Sequence, residues 1–242
     1  MRNRIFALGA LLSVCACLHA ADVSAAPLAI YYSFDSRPPQ TLFSEVQAEM
    51  SRIFAPTGMQ IVWRSLDQRS GAESFREIVV LRFRGACYFE PGPEHSGAFE
   101  PSSLTLAETD LVDGHILPFG DVQCDQLRHF LAPAAASMKE DAGNAALGRA
   151  IARVSAHELY HMITGSMTHA RSGIARAEHS RADLTAASFT FAKPEEAWLR
   201  SWVERRMGPE KNGTPAPVTV AALENAPDAS GASSAFVGGD PR

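Results

Sequence analysis

The chain has 242 residues, 46% hydrophobic and 20% charged, with 17 Gly and 15 Pro. This is globular composition at a length that suits one domain with appendages, and it excludes a collagen, a coiled coil or a wholly disordered chain. The formal net charge of −5 comes from 22 basic and 27 acidic residues, so the basic surface that nucleic-acid binding needs is lacking.

Residues 1–25 read as a secretory signal. Arg2 and Arg4 precede an apolar run from Ile5 to Ala20, and Val23-Ser24-Ala25 offers a cleavage site before Ala26. A bilayer span needs about 20 apolar residues, and this run is shorter and has no basic stop-transfer flank, so stable membrane insertion is not expected. Val14 stands before Cys15 where a lipoprotein signal needs a small residue, which makes lipid anchoring the weaker reading. Cleavage would leave 20 basic and 26 acidic residues, a net −6, in an exported chain whose only cysteines are Cys87 and Cys124. Two cysteines in an exported protein predict one disulfide, with two buried thiols as the alternative.

Leu28–Phe34 reads as a first strand, closed by Arg37-Pro38-Pro39. From Thr41, a fair N-cap, to Phe54, apolar residues recur with a helical period, and Pro56-Thr57-Gly58 ends that helix. Met59–Arg64 and Glu77–Arg84 are two further strands, which makes a βαβ unit. Residues 85–102 read as a loop. Ser103–Leu106 and Gly114–Phe119 are weaker strands, with Asp110 and Asp113 as turn residues beside Gly114.

A helix over about 121–131 carries Cys124, and Pro133–Gly143 connects it to a helix capped by Asn144 and running to about Thr164. That second helix is apolar on most faces, so it belongs in the core. A short strand at Ala187–Phe191 and a helix after Pro194 follow, with Trp198 and Trp202 packing the latter on the core. From Gly208 periodicity vanishes, and 208–242 reads as a disordered tail. The fold class expected is α+β: a small mixed sheet with a βαβ unit, packed on a central buried helix, with a short C-terminal subdomain carrying a helix. The domain limits are 1–25 for the signal, 26–207 for the folded domain and 208–242 for the tail.

Within the central helix stands His157-Glu158-Leu159-Tyr160-His161. Positions i and i+4 share a helix face about 5–6 Å apart, so the two imidazoles can converge on one Zn²⁺. Glu158 is rotated about 100° around the axis, which keeps it off the metal while leaving it able to deprotonate a zinc-held water. A catalytic zinc needs a third protein ligand and an open position. Gly165 can reverse the chain after Thr164 and return His169 to the metal; Glu178, His179 and Asp183 are its competitors. His95, His115, His129 and His179 otherwise read as surface or loop residues, and Tyr160 as core.

The His-Glu-x-x-His helix, the Gly after it and the downstream His resemble the metzincin clan of zinc metallopeptidases. The resemblance implies His157, His161 and His169 as ligands, Glu158 as general base, a peptide or protein substrate, and an edge strand near His115–Phe119 lining the cleft. Two departures stand against it. The second and third His lie eight residues apart where the clan has six, with Gly four rather than three after the second His. Ser172-Gly173-Ile174-Ala175 also has no Met where the clan's Met-turn would fall. The function expected is an exported zinc-dependent peptidase. A non-catalytic zinc protein and an exported binding domain whose histidines only pack are the alternatives.

Overall fold

A computed structural model describes residues 26–89, 104–208 and 216–220, and the backbone of 233–238. Residues 1–25, which read as a signal, and His95 lie outside the described residues. In chain order the elements are β1 (Leu28–Ser36), α1 (Gln40–Phe54), β2 (Ile61–Ser65), β3 (Ser74–Phe75), β4 (Glu77–Ala86), β5 (Leu104–Val112) and β6 (His115–Gln123). There follow α2 (Cys124–Ala135), α3 (Glu140–Thr164), β7 (Glu178–His179), α4 (Arg181–Thr185), α5 (Lys193–Arg206), β8 (Val218–Thr219) and β9 (Ser233–Gly238). The fold is α+β, as the element pattern predicts.

One sheet runs in the order β2-β1-β4-β6-β5-β9-β7, and β3 pairs with β8 in a separate ribbon. β1–α1–β2 is the expected parallel crossover unit, with Leu28 opposite Ile61. Only β5 runs against its neighbours. Asp113-Gly114, both at positive φ (51° and 78°), close the β5–β6 hairpin, since that tight reversal needs the left-handed region.

Strand alternation divides the apolar side chains between two faces. Leu28 and Ile30 of β1, with Val79, Leu81 and Phe83 of β4, face the main core with α1 and α3. Ala29, Tyr31, Ile78 and Val80 face a smaller cluster that Val220 caps. Beyond it Arg82 bridges Asp110 (2.9 Å) and Asp121 (2.8 Å). α3 is the center of the domain: most of its residues from Gly143 to His161 are buried.

Several boundaries shift for identifiable reasons. Asp121–Gln123 pair with Arg82–Arg84 of β4, so they extend a strand and the helix begins at Cys124. Pro133 falls in the last turn of α2. α3 starts at Glu140, with Glu140 and Asp141 meeting the positive end of its dipole; Asn144 is inside it and accepts from Phe89 N–H at 2.8 Å. α1 is preceded by Pro39 and has no side-chain cap. Asp110 belongs to β5, where Arg82 holds it, and not to the turn. At 187–191 only Phe191 makes a strand-like bridge, to Gly173. Trp198 is exposed, whereas Trp202 packs against the core as expected, and Leu199, Val203 and Met207 dock α5 beside it. β8 and β9 stand within 208–242, where composition predicts disorder. Their order comes from pairing with β3, β5 and β7, not from any pattern of their own.

The Cys87 and Cys124 sulfurs lie at disulfide-bonding distance, with Cα atoms 4.7 Å apart and both side chains fully buried. The bond joins the exit of β4 to the start of α2 and closes a loop of sequence separation 37. Replacing both cysteines with alanine is expected to lower stability by about 4 kcal/mol, the chain-entropy value for such a loop, read from urea unfolding under oxidising conditions.

Candidate metal centre

α3 brings His157 and His161 onto one face, and their Nε2 atoms approach to 3.0 Å. The other ring nitrogen of each is committed to a carbonyl. His157 Nδ1 lies 2.8 Å from the Ile174 oxygen and His161 Nδ1 lies 2.6 Å from that of Ser166. A carbonyl only accepts, so each Nδ1 carries the proton and donates it. Both Nε2 lone pairs then face one another across 3.0 Å, an arrangement that a cation between them reconciles.

The third ring arrives by the route the glycine opens. Gly165 sits at φ 60° as the left-handed C-cap of α3, its N–H bonded to His161 O at 2.9 Å. Ser166 turns its carbonyl back to His161, and Thr168 N–H bonds Ser166 Oγ at 3.1 Å. That turn takes up the long interval and delivers His169, whose ring stacks on His157 at 5.2 Å and meets His161 edge-on at 4.8 Å. Ligand nitrogens of His157, His161 and His169 all lie within 4.8 Å of one another. Three such histidines could hold one metal ion. A tetrahedral zinc with bonds of about 2.0–2.1 Å keeps its nitrogens about 3.3–3.4 Å apart, so small rotations of the rings fit it.

Electrostatics favor ligation. Burial holds His157 well below the usual imidazole pKa, helped by the neighbouring His161. Burial also lowers His161 and His169. Neutral imidazole is the form that binds metal. Two rings are buried and His169 is exposed, so the site is closed on the helix side and reaches water at the third ligand.

Glu158 is buried beside this cluster in sequence but outside it in space. Thr109 Oγ1 on β5 donates to its Oε2 at 2.5 Å, and its buried Oε1 has no hydrogen-bond partner among the described residues. Burial pushes the Glu158 carboxyl up to about 8, against the Thr109 hydrogen bond, which lowers it. A bare buried acceptor is costly, so Oε1 is prepared for a proton or a water.

The competing ligands lie outside this cluster. Glu178 is exposed on β7, and its carbonyl accepts from Arg176 Nε at 2.6 Å. Asp183 accepts from Ser180 N–H and Oγ and from Arg176 in the capping box of α4. His179 is not a surface residue: it is fully buried behind His157, with its Nε2 3.0 Å from the Ile174 oxygen. His115 is exposed at the hairpin, and His129 Nδ1 is tied to Asp125 O within α2. Tyr160 is half-buried against Phe191.

The strand beside the site also differs from expectation. β6 pairs with β5 from His115 onward but with β4 only from Phe119, so it is an edge over His115–Pro118 and interior beyond. β5 is the strand that touches Glu158, through Thr109, and its outer edge carries β9.

Sequence reasoning misses Thr109, the Ile174 and Ser166 carbonyls, and Arg153. Arg153 offered a signal: it lies one helical turn before His157, on the face that His161 continues. Its guanidinium is fully buried, with Nε bonded to Glu49 Oε1 (2.8 Å) and the other nitrogens to the carbonyls of Asp183 (2.8 Å), Leu184 (2.9 Å) and Ala186 (2.8 Å). It fastens the segment after Ile174 and His179 to α3. Compared with known protein families, curated protein sequences and solved structures, the chain gives no match.

Proposed function

We propose that the protein is an exported zinc-dependent peptidase in which His157, His161 and His169 hold the ion and Glu158 is the general base. The observation that carries this reading is the pair of carbonyl-committed imidazoles with opposed Nε2 atoms, joined by a third histidine on the solvent side. Zinc bound there supplies Lewis acidity, polarising a peptide carbonyl and acidifying a water. Thr109 fixes one Glu158 oxygen, which leaves Oε1 to take the proton of the attacking water and to hand it to the departing amine. The leader at 1–25 and the cysteine pair support export. Among the described residues no helix is long and apolar enough to cross a membrane.

The metzincin likeness is supported by a mixed sheet whose one antiparallel strand, β5, adjoins the active helix. Buried Ile174 occupies the turn beneath His157 in place of a methionine. A purely structural metal site is the second reading. It calls for a fourth protein ligand, and none of the three candidates stands in the cluster of His157, His161 and His169.

The test is metal analysis of the purified mature chain together with hydrolysis of a mixed fluorogenic peptide library. One zinc per chain is expected, with hydrolysis lost to a chelator and restored by zinc. His169→Ala should weaken zinc at least about a hundredfold and abolish hydrolysis, whereas Glu178→Ala should do neither. A chain that binds no zinc overturns both readings.

A further inference from the structure

β9 is the last described segment of the chain, and it lies in a slot between two strands that flank the metal centre. It runs antiparallel to β5, with Thr109 opposite Ser234 and Leu104 opposite Gly238, and parallel to β7, with Glu178 opposite Val237 and His179 opposite Gly238. Each wall belongs to the site. Thr109 of β5 holds Glu158, and His179 of β7 packs edge-on against the His157 ring at 5.8 Å. β5 without β9 would be an exposed edge, a row of main-chain donors and acceptors ready for any extended peptide. β-Ladder pairing is made by the main chain, so what holds Ser233–Gly238 there also suits a foreign strand.

We propose that Ser233–Gly238 is an intramolecular competitor: the tail lies in the peptide-binding slot of the enzyme and must leave before a substrate strand can pair with β5. This inference rests on the peptidase reading above. The tail is tethered through residues 221–232 to Val220, which is buried in the small cluster on the other face of the sheet. A connection of only twelve residues keeps the segment at an effective concentration on the order of millimolar, enough to exclude substrates that bind weakly.

Two variants test this: the mature chain ended after Val220, and the full chain carrying Val237→Pro. Val237 is paired with both β5 and β7, so a proline there removes an N–H that one ladder or the other uses. In both, KM for a peptide substrate is expected to fall at least tenfold with kcat unchanged. The free hexapeptide Ser-Ser-Ala-Phe-Val-Gly should inhibit the shortened chain competitively. Folded variants with unchanged KM would overturn the proposal, as would loss of fold in both, which would make β9 a structural strand. If no form hydrolyses any peptide, the peptidase reading fails and the tail is judged by fluorescence anisotropy of the labelled hexapeptide. Binding to the shortened chain at least tenfold tighter than to the full chain supports the slot and its occupant; equal or absent binding overturns them.

Discussion

Glu158→Gln is expected to keep its zinc and its fold and to lose peptide hydrolysis by about a hundred- to ten-thousand-fold, the usual contribution of a positioned general base. Glutamine matches the shape of the buried side chain and can still accept the Thr109 hydrogen bond on one oxygen. What it lacks is a carboxylate oxygen in the position of Oε1, the atom without a hydrogen-bond partner among the described residues. The three histidines are untouched, so metal content should remain at one equivalent. The measurements are zinc stoichiometry, near-UV circular dichroism and kcat on the same preparation. Full activity in the metal-loaded variant would remove Glu158 from the reaction. Loss of zinc along with activity would instead place the residue in the ion's own shell.

Arg153→Met should cost about 3–5 kcal/mol of stability, the largest effect expected for a substitution away from the ligands. The guanidinium and the Glu49 carboxylate it meets are both wholly buried, and Glu49 also pairs with Arg52. Removing the cation leaves a buried carboxylate short of its partner and strands three carbonyls at the end of α4. Replacing Glu49 and Arg153 together with apolar residues should recover part of the loss, because the orphaned charge goes with its partner. Urea unfolding of the two single variants and the double variant measures the coupling. A loss below about 1 kcal/mol for the single change would mean that water solvates this pair.

The sequence displays whatever depends on one helix. The His157–His161 spacing follows from the helical repeat, and the Gly165 reversal makes His169 a natural partner, so the metal-capable trio is legible before any tertiary contact. The βαβ unit and the Cys87–Cys124 pairing are legible for similar reasons: period, and elimination among few cysteines. Other features depend on contacts distant in sequence. Thr109 reaches Glu158 across 49 positions from a strand whose apolar pattern is weak. Ile174 and Ser166 act through carbonyls, which any residue possesses. Asn144 looks like a cap until Phe89 claims its oxygen. His179 looks like a loop residue because nothing local reveals that the chain folds it beneath His157. β9 escapes altogether, since strand addition at an edge needs only main chain.

Two of the three imidazoles ride on a helix sealed from water, while the third sits on a turn that water reaches. The helix pair is therefore a half-built grip, fixed by the carbonyls of Ile174 and Ser166. His169, on the exposed turn, is expected to join the ion last and leave it first. Uptake and escape of an ion should accordingly follow the motion of the short stretch from Gly165 to His169 rather than any breathing of the interior.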